Sequence, residues 1–298
     1  MEEKKLMTDE QLEAKLASLR AKEKFMKGLA FCAFVLMFVS GIVTGNVLVF
    51  LLFLVITIVI ACFWIKRNNE IKEFLSDNVI NSVLGEVFGD SVEYKPFEKL
   101  NPGGVVVPFH YIGSEGENHI MGVYNGVRFE LGDIRLIDEE EYTNEDGVST
   151  SKVTRLKGQW LICDLDNAPA CDVYVSELER NDRSIMTSDV KIADDKFSER
   201  FCVRSDNPQE AYKILTPQMM ERISAAADKC VGTVYLSFLR NGKMNFAMKN
   251  ENELFELQKG KIDVDALQKK FRAELSRFTE IIDTLHINNI LYNKEENS

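Results

Sequence analysis

Histidine is scarce in this 298-residue chain: His110, His119 and His286 are too few and too scattered for a recognisable metal set. Cysteine occurs six times, at Cys32, Cys62, Cys163, Cys171, Cys202 and Cys230, without one CxxC pair. Those spacings match neither a zinc site nor a disulfide framework, which agrees with a reducing compartment. No Walker loop or dinucleotide fingerprint is present, and Gly113-Ser-Glu-Gly116 reads as a turn. No metal and no cofactor is therefore expected. Positive charge is in deficit: 36 Lys plus Arg against 47 Asp plus Glu leave a formal net charge of −11. That balance argues against nucleic acid as a partner, because phosphate binding rests on a basic surface. With 45% apolar and 28% charged residues the chain is neither disordered nor collagen-like. Its length allows one large domain or two small ones.

The sharpest absence is local. No residue between Lys27 and Lys66 is charged. As one helix this run would extend about 57 Å, nearly twice a ~30 Å hydrocarbon core. Thr44-Gly45-Asn46 interrupts it once, and both Gly45 and Asn46 tolerate the left-handed backbone of a chain reversal. The pattern predicts a two-helix transmembrane hairpin over residues 28–65, with spans at about 28–43 and 47–65. Arg20, Lys22, Lys24 and Lys27 precede the first span; Lys66, Arg67 and Lys72 follow the second; the turn has no basic residue. The positive-inside rule then puts both termini in the cytoplasm. Trp64 stands where an interfacial anchor belongs. Residues 1–27 read as an amphipathic cytoplasmic helix, capped at Thr8 with Gln11 and carrying Leu12, Leu16 and Leu19.

Residues 66–298 read as a cytoplasmic α+β domain. A helix over 66–86 continues the second span, with Ile71, Phe74, Leu75, Val79, Ile80, Val83 and Leu84 at three- and four-residue spacing. Strands follow at Val105–Val107, His119–Tyr124, Val127–Leu131, Ile134–Ile137 and Val153–Cys163, with Asn125-Gly126 as a type I′ hairpin turn. Asp138 to Ser151 is an acidic hairpin tip. An internal boundary is expected near 177–200, where the chain becomes charged and irregular. Beyond it come a strand at Phe201–Val203, a short helix from Asp206 to Tyr212 and a helix capped by Thr216 with Pro217 in its first turn. Val234–Leu239 and Met244–Met248 flank a second Asn-Gly hairpin, and a long helix from Asp263 to Leu285 closes the chain. Hairpins rather than strand-helix-strand alternation predict an antiparallel sheet.

Trp160-Leu-Ile-Cys-Asp164-Leu-Asp166-Asn167 is the strongest chemical pattern. An apolar strand ending in Asp-x-Asp resembles the nucleophile loop of haloacid-dehalogenase-like phosphatases, where the first carboxylate attacks phosphorus beside Mg²⁺. Ala168 stands where that pattern wants Thr, and the short interval before Asp194-Asp195 is too small for the usual fold. An Mg-dependent phosphohydrolase using Asp164 and Asp166 is thus the alternative reading. Tyr142 to Gly147 suggests a calcium loop, but Tyr142 and Val153 occupy the places that need acidic residues.

Gly158-Gln-Trp160-Leu-Ile-Cys-Asp164, the block from Phe201 through Ser205-Asp206 and Pro217-Gln-Met-Met-Glu221, Val234 to Phe238 and Leu254-Phe-Glu256 together resemble the bacterial domain-of-unknown-function 3137 family. The resemblance spans about residues 65–290 and departs at Asp166. It implies two amino-terminal spans before a cytoplasmic domain in the bacterial cytoplasmic membrane, no assigned activity, and a genomic association with LemA-type membrane proteins. The expected function is a membrane-anchored binding or scaffolding module, not an enzyme, whose partner is another membrane protein. Asp206, Glu210 and Glu221 are its candidate binding residues.

Overall fold

A computed structural model describes residues 7–102, 111–144, 147–177, 190–257 and 260–285. The strand expected at Val105–Val107, His110, His286 and the core of the expected boundary near 177–200 lie outside them. Two compact units divide the chain. One comprises Met1–Val83 with Leu257–Lys270, and the other Leu84–Glu256 with Phe271–Ser298.

In the first unit, helix α1 runs unbroken from Asp9 to Thr44, so the amphipathic segment and the first apolar run are one helix. Its start follows the expected capping box: the Gln11 amide donates to Thr8 Oγ1 and the Thr8 amide to Gln11 Oε1. Its end is Gly45 at φ 57°, a backbone that only glycine adopts without cost. Asn46 does not share that conformation. It is extended, and its side chain accepts from the Leu48 amide as the cap of helix α2, Val47–Leu75. A π-helical turn, Ser76–Ile80, joins α2 to α3, Asn81–Phe88. Among the described residues two helices are long and apolar enough to cross a membrane, and their most apolar windows are only 11% and 0% buried. A core helix of that composition would bury those windows. Where α2 leaves its apolar run, Trp64 Nε1 donates to Glu23 at 2.7 Å and the Lys27 ammonium lies 5.8 Å from the ring. The amphipathic end of α1 buries Leu12, Leu16 and Leu19, as its spacing predicts.

The second unit is built on one eight-stranded sheet, β1 Val92–Lys95, β2 Gly113–Tyr124, β3 Val127–Asn144, β4 Gly147–Asp164, β5 Val173–Glu177, β6 Phe201–Ser205, β7 Thr233–Leu239 and β8 Lys243–Lys249. The order is β1-β2-β3-β4-β8-β7-β5-β6, and each neighbouring pair is antiparallel. The fold is therefore α+β, with the antiparallel sheet and closing helix that the hairpins predict. Several details differ. Gly113–Gly116 is the start of β2, not a turn, because Gly113 to Glu117 pair with Ile137 to Asp133. The two expected strands at 127–131 and 134–137 are one strand, which also absorbs the first half of the acidic tip and pairs with β4 as far as Asn144↔Gly147. Asn125 and Gly126 both take positive φ, as a type I′ turn requires, whereas at the second hairpin only Gly242 does.

Helix α4, Asp195–Arg200, was not expected; α5, Pro208–Ile214, and α6, Pro217–Asp228, begin at the Asn207 and Thr216 caps. The closing helix α7, Val264–Leu285, buries Phe271, Leu275, Phe278, Ile281, Ile282 and Leu285 to 2% exposure or less. Each such side chain contributes about 1.5–3 kcal/mol relative to exposure.

Candidate functional site

Asp133 is an acidic side chain in the middle of a sheet, 4% exposed. Its register sets its company: β3 pairs it with Glu117 of β2 on one side and Gln159 of β4 on the other. Beside it β2 bulges between Glu117 and Ile120, and Asn118 takes φ 59°, a left-handed conformation that Asn accepts better than most residues. The bulge turns Asn118 inward. Its Nδ2 donates to Asp133 Oδ2 at 2.6 Å, and its Oδ1 accepts from the Tyr94 hydroxyl at 2.7 Å. Gln159 Nε2 donates to Asp133 Oδ1 at 3.1 Å and to the Asn252 carbonyl at 2.7 Å. The Leu254 amide reaches both carboxylate oxygens at 3.0 Å, and Asn250 Nδ2 donates to Gln159 Oε1 at 2.7 Å. Burial pushes the Asp133 carboxyl up to about 7, against the pull of the Asn118, Leu254 and Gln159 donors. Burial, then the field of Asp133 and Glu117, raises the Tyr94 phenol.

A cleft of about 320 Å³ opens over this network, with Asp133 among its lining residues. Its rim carries a row of charges. Glu115 and Arg135 are cross-strand partners with a 3.5 Å ion pair, and Lys157, the cross-strand partner of Arg135, pairs with Glu253 at 3.0 Å. Like charges directly opposite each other repel, so Arg135 and Lys157 are each held by a carboxylate on their far side. Gly116 lets β2 approach closely here: a Cβ would lie 2.2 Å from the Asp133 carbonyl oxygen. The rim thus sets paired acidic and basic groups beside a buried carboxylate.

The residues singled out from sequence lie elsewhere. Asp164, at the end of β4, is ion-paired to Lys243 and lies 3.8 Å from Arg128 Nε. Asp166 is exposed beyond the strand. Asp194 caps α4, accepting from the Phe197 amide at 3.0 Å. Asp206 belongs to a staple: Arg240 reaches it at 3.1 Å and Asp172 at 3.4 Å, while the Arg240 amide donates to Asp172 at 2.7 Å. Glu210 stands in the first turn of α5 and pairs with Lys213 at 2.7 Å. Glu221 is exposed on α6. Among the described residues no hydrogen bond or ion pair joins these three. His119 is buried, with Nε2 3.1 Å from Glu130. Among the described residues no three His, Cys, Asp or Glu side chains are grouped to hold a metal ion.

Residues 154–287 match the model of a family described as "Protein of unknown function (DUF3137)". Over those residues, a little under half of the chain, this protein is similar to the DUF3137 family. None of the curated proteins matches it. Among solved structures, the crystal structure of the mycobacterial trehalose monomycolate transport factor A, TtfA, is similar at 13% identity. That match covers 57% of this chain and 74% of the other, with a TM-score of 0.29. The DUF3137 region supplies Lys157, Gln159, Asn250, Asn252 and Leu254 to the site, while Tyr94, Asn118, Asp133 and Arg135 precede it. Sequence reasoning missed Asp133 because Gly132-Asp133 reads as a break between two strands. The legible signal was the odd polar pair inside a continuous run of alternating apolar residues.

Proposed function

We propose that this protein is a membrane-anchored binding or scaffolding module, which holds its sheet domain at the cytoplasmic face of a bacterial membrane for another membrane protein. The observation that carries this reading is the pair of apolar helices whose membrane-length windows are almost wholly unburied. Basic residues precede the first apolar run and follow the second, and none stands in the Thr44-Gly45-Asn46 turn, which supports cytoplasmic termini. Anchoring confines the domain to two dimensions and raises its effective concentration toward other membrane proteins. The cleft over Asp133 is the proposed contact surface, with Arg135 and Lys157 facing a charged segment of the partner.

Cross-linked native membranes supply the test. Arg135→Glu with Lys157→Glu should reduce co-purification of the partner, and replacing residues 28–65 with an unrelated hairpin of the same topology should preserve it. Loss of the partner on hairpin exchange, with the cleft variant unaffected, would move recognition into the spans.

A further inference from the structure

A second hollow, of about 470 Å³, lies in the first unit between α1 and the segment leading into α7. Ala14, Ala17 and Ala21 line it on one face of α1, with Ile262 across from them. Two hydrogen bonds set the direction of the segment. Arg20 donates to the Gly260 carbonyl at 3.3 Å, and the Val264 amide donates to Glu13 at 3.2 Å. Residues 260–264 therefore run antiparallel to α1, and Lys261 joins Arg20 and Lys24 at one end while Glu10 and Glu13 mark the other. The hollow is thus polarised. Its basic end is the one nearest the uncharged run that starts after Lys27, about one helical turn beyond Lys24. Among the described residues Arg20 makes only its bond to Gly260, and neither Lys24 nor Lys261 has a carboxylate partner.

We propose that this groove binds an anionic phospholipid, its phosphate between Arg20, Lys24 and Lys261 and part of its glycerol and upper acyl chain along Ala17, Ala21 and Ile262. Three observations select that occupant. Among the described residues the cations lack carboxylate partners, the floor is apolar, and the basic end is continuous with the surface where headgroups lie. The acidic far end disfavours a ligand entering from that side. The proposal rests on the membrane reading of α1, and the two are tested separately.

Vesicle flotation of the full chain reads the spans, and Arg20→Ala/Lys24→Ala/Lys261→Ala should float as the parent does. Native mass spectrometry of the detergent-purified full chain, offered equimolar phosphatidylglycerol and phosphatidylcholine, reads the groove. The parent should retain phosphatidylglycerol preferentially, and the preference should fall about fivefold for each cation removed. Lys24→Arg/Lys261→Arg should keep it, and Ala17→Trp should abolish it with every cation in place. Equal retention of the two lipids, an unchanged triple variant, or equal displacement by glycerol 3-phosphate would overturn the proposal. So would a dimer mass lost specifically on Ala17→Trp, which would give the groove to a second copy.

Discussion

Asp133 shows how one side chain can hold three pieces of backbone together. Its carboxylate gathers donors from the β2 bulge, from β4 and from the Leu254 amide, and deleting it would leave those donors buried without an acceptor. Asp133→Ala should therefore destabilise the protein by about 3 kcal/mol or more, read from denaturant unfolding. The pH dependence has a definite sign. A carboxyl raised from its usual 3.8 to about 7 binds its proton more tightly in the folded state. Its contribution is then most favourable below pH 4 and declines as pH rises toward 7. The parent should lose stability over that window relative to Asp133→Asn, whose own contribution is flat; parallel pH profiles would show that Asp133 titrates normally. A neighbouring glycine offers a steric contrast. Gly116→Ala must push against the Asp133 carbonyl and should cost about 2 kcal/mol or more, whereas Gly113→Ala meets nothing within 4 Å. Equal melting temperatures for the two variants would contradict the close approach of β2 and β3.

Helix ends are where secondary-structure elements are joined most economically in this chain. Thr8, Asn46, Asp194, Asn207 and Thr216 each accept a hydrogen bond from a first-turn amide of the helix that follows. Thr216→Ala should cost about 1 kcal/mol, measured by unfolding, because the Met219 amide loses its acceptor. Helix α7 is capped twice: Asp263 accepts from the Ala266 amide, and Glu13, far away in sequence, accepts from Val264. Glu13→Ala should thus speed hydrogen exchange in the first turn of α7 about fivefold while leaving its last turns unchanged. Uniform protection in both proteins would mean that the α1 contact contributes nothing.

For the molecule as a whole, the distribution of charge is the main lever. The negative excess resides entirely after residue 27, whereas the flanks of the apolar run are basic. An acidic body near an anionic leaflet is repelled by it, and basic juxtamembrane residues are attracted. A cysteine placed at Asn46 should react with an impermeant thiol reagent in intact cells, while one near the carboxy terminus should react only after permeabilisation. The reverse pattern would invert the proposed topology. Native Cys32 and Cys62 must first be replaced by Ser or Ala, since both are exposed along the apolar helices.

Patterns governed by neighbours along the chain were readable directly. The apolar run, its Gly45 break, the Thr8 and Thr216 caps and the two Asn-Gly hairpins all depend on steric limits and hydrogen bonds within a few residues. The stripe of α7 is equally local, since 3.6-residue periodicity alone puts its apolar side chains on one face. Strand extent was not local. Gly113–Gly116 and Gly132-Asp133 look like turn chemistry, and only the ladder with partners across the sheet makes them strand. Asp164 and Asp206 looked chemically poised, yet Lys243 and Arg240, both from the β7–β8 hairpin and its ends, engage them in ion pairs. The site over Asp133 draws on residues from Tyr94 to Leu254, a spread that no spacing rule spans. A buried carboxylate becomes tolerable only when distant donors converge on it, and that convergence is a property of the folded sheet.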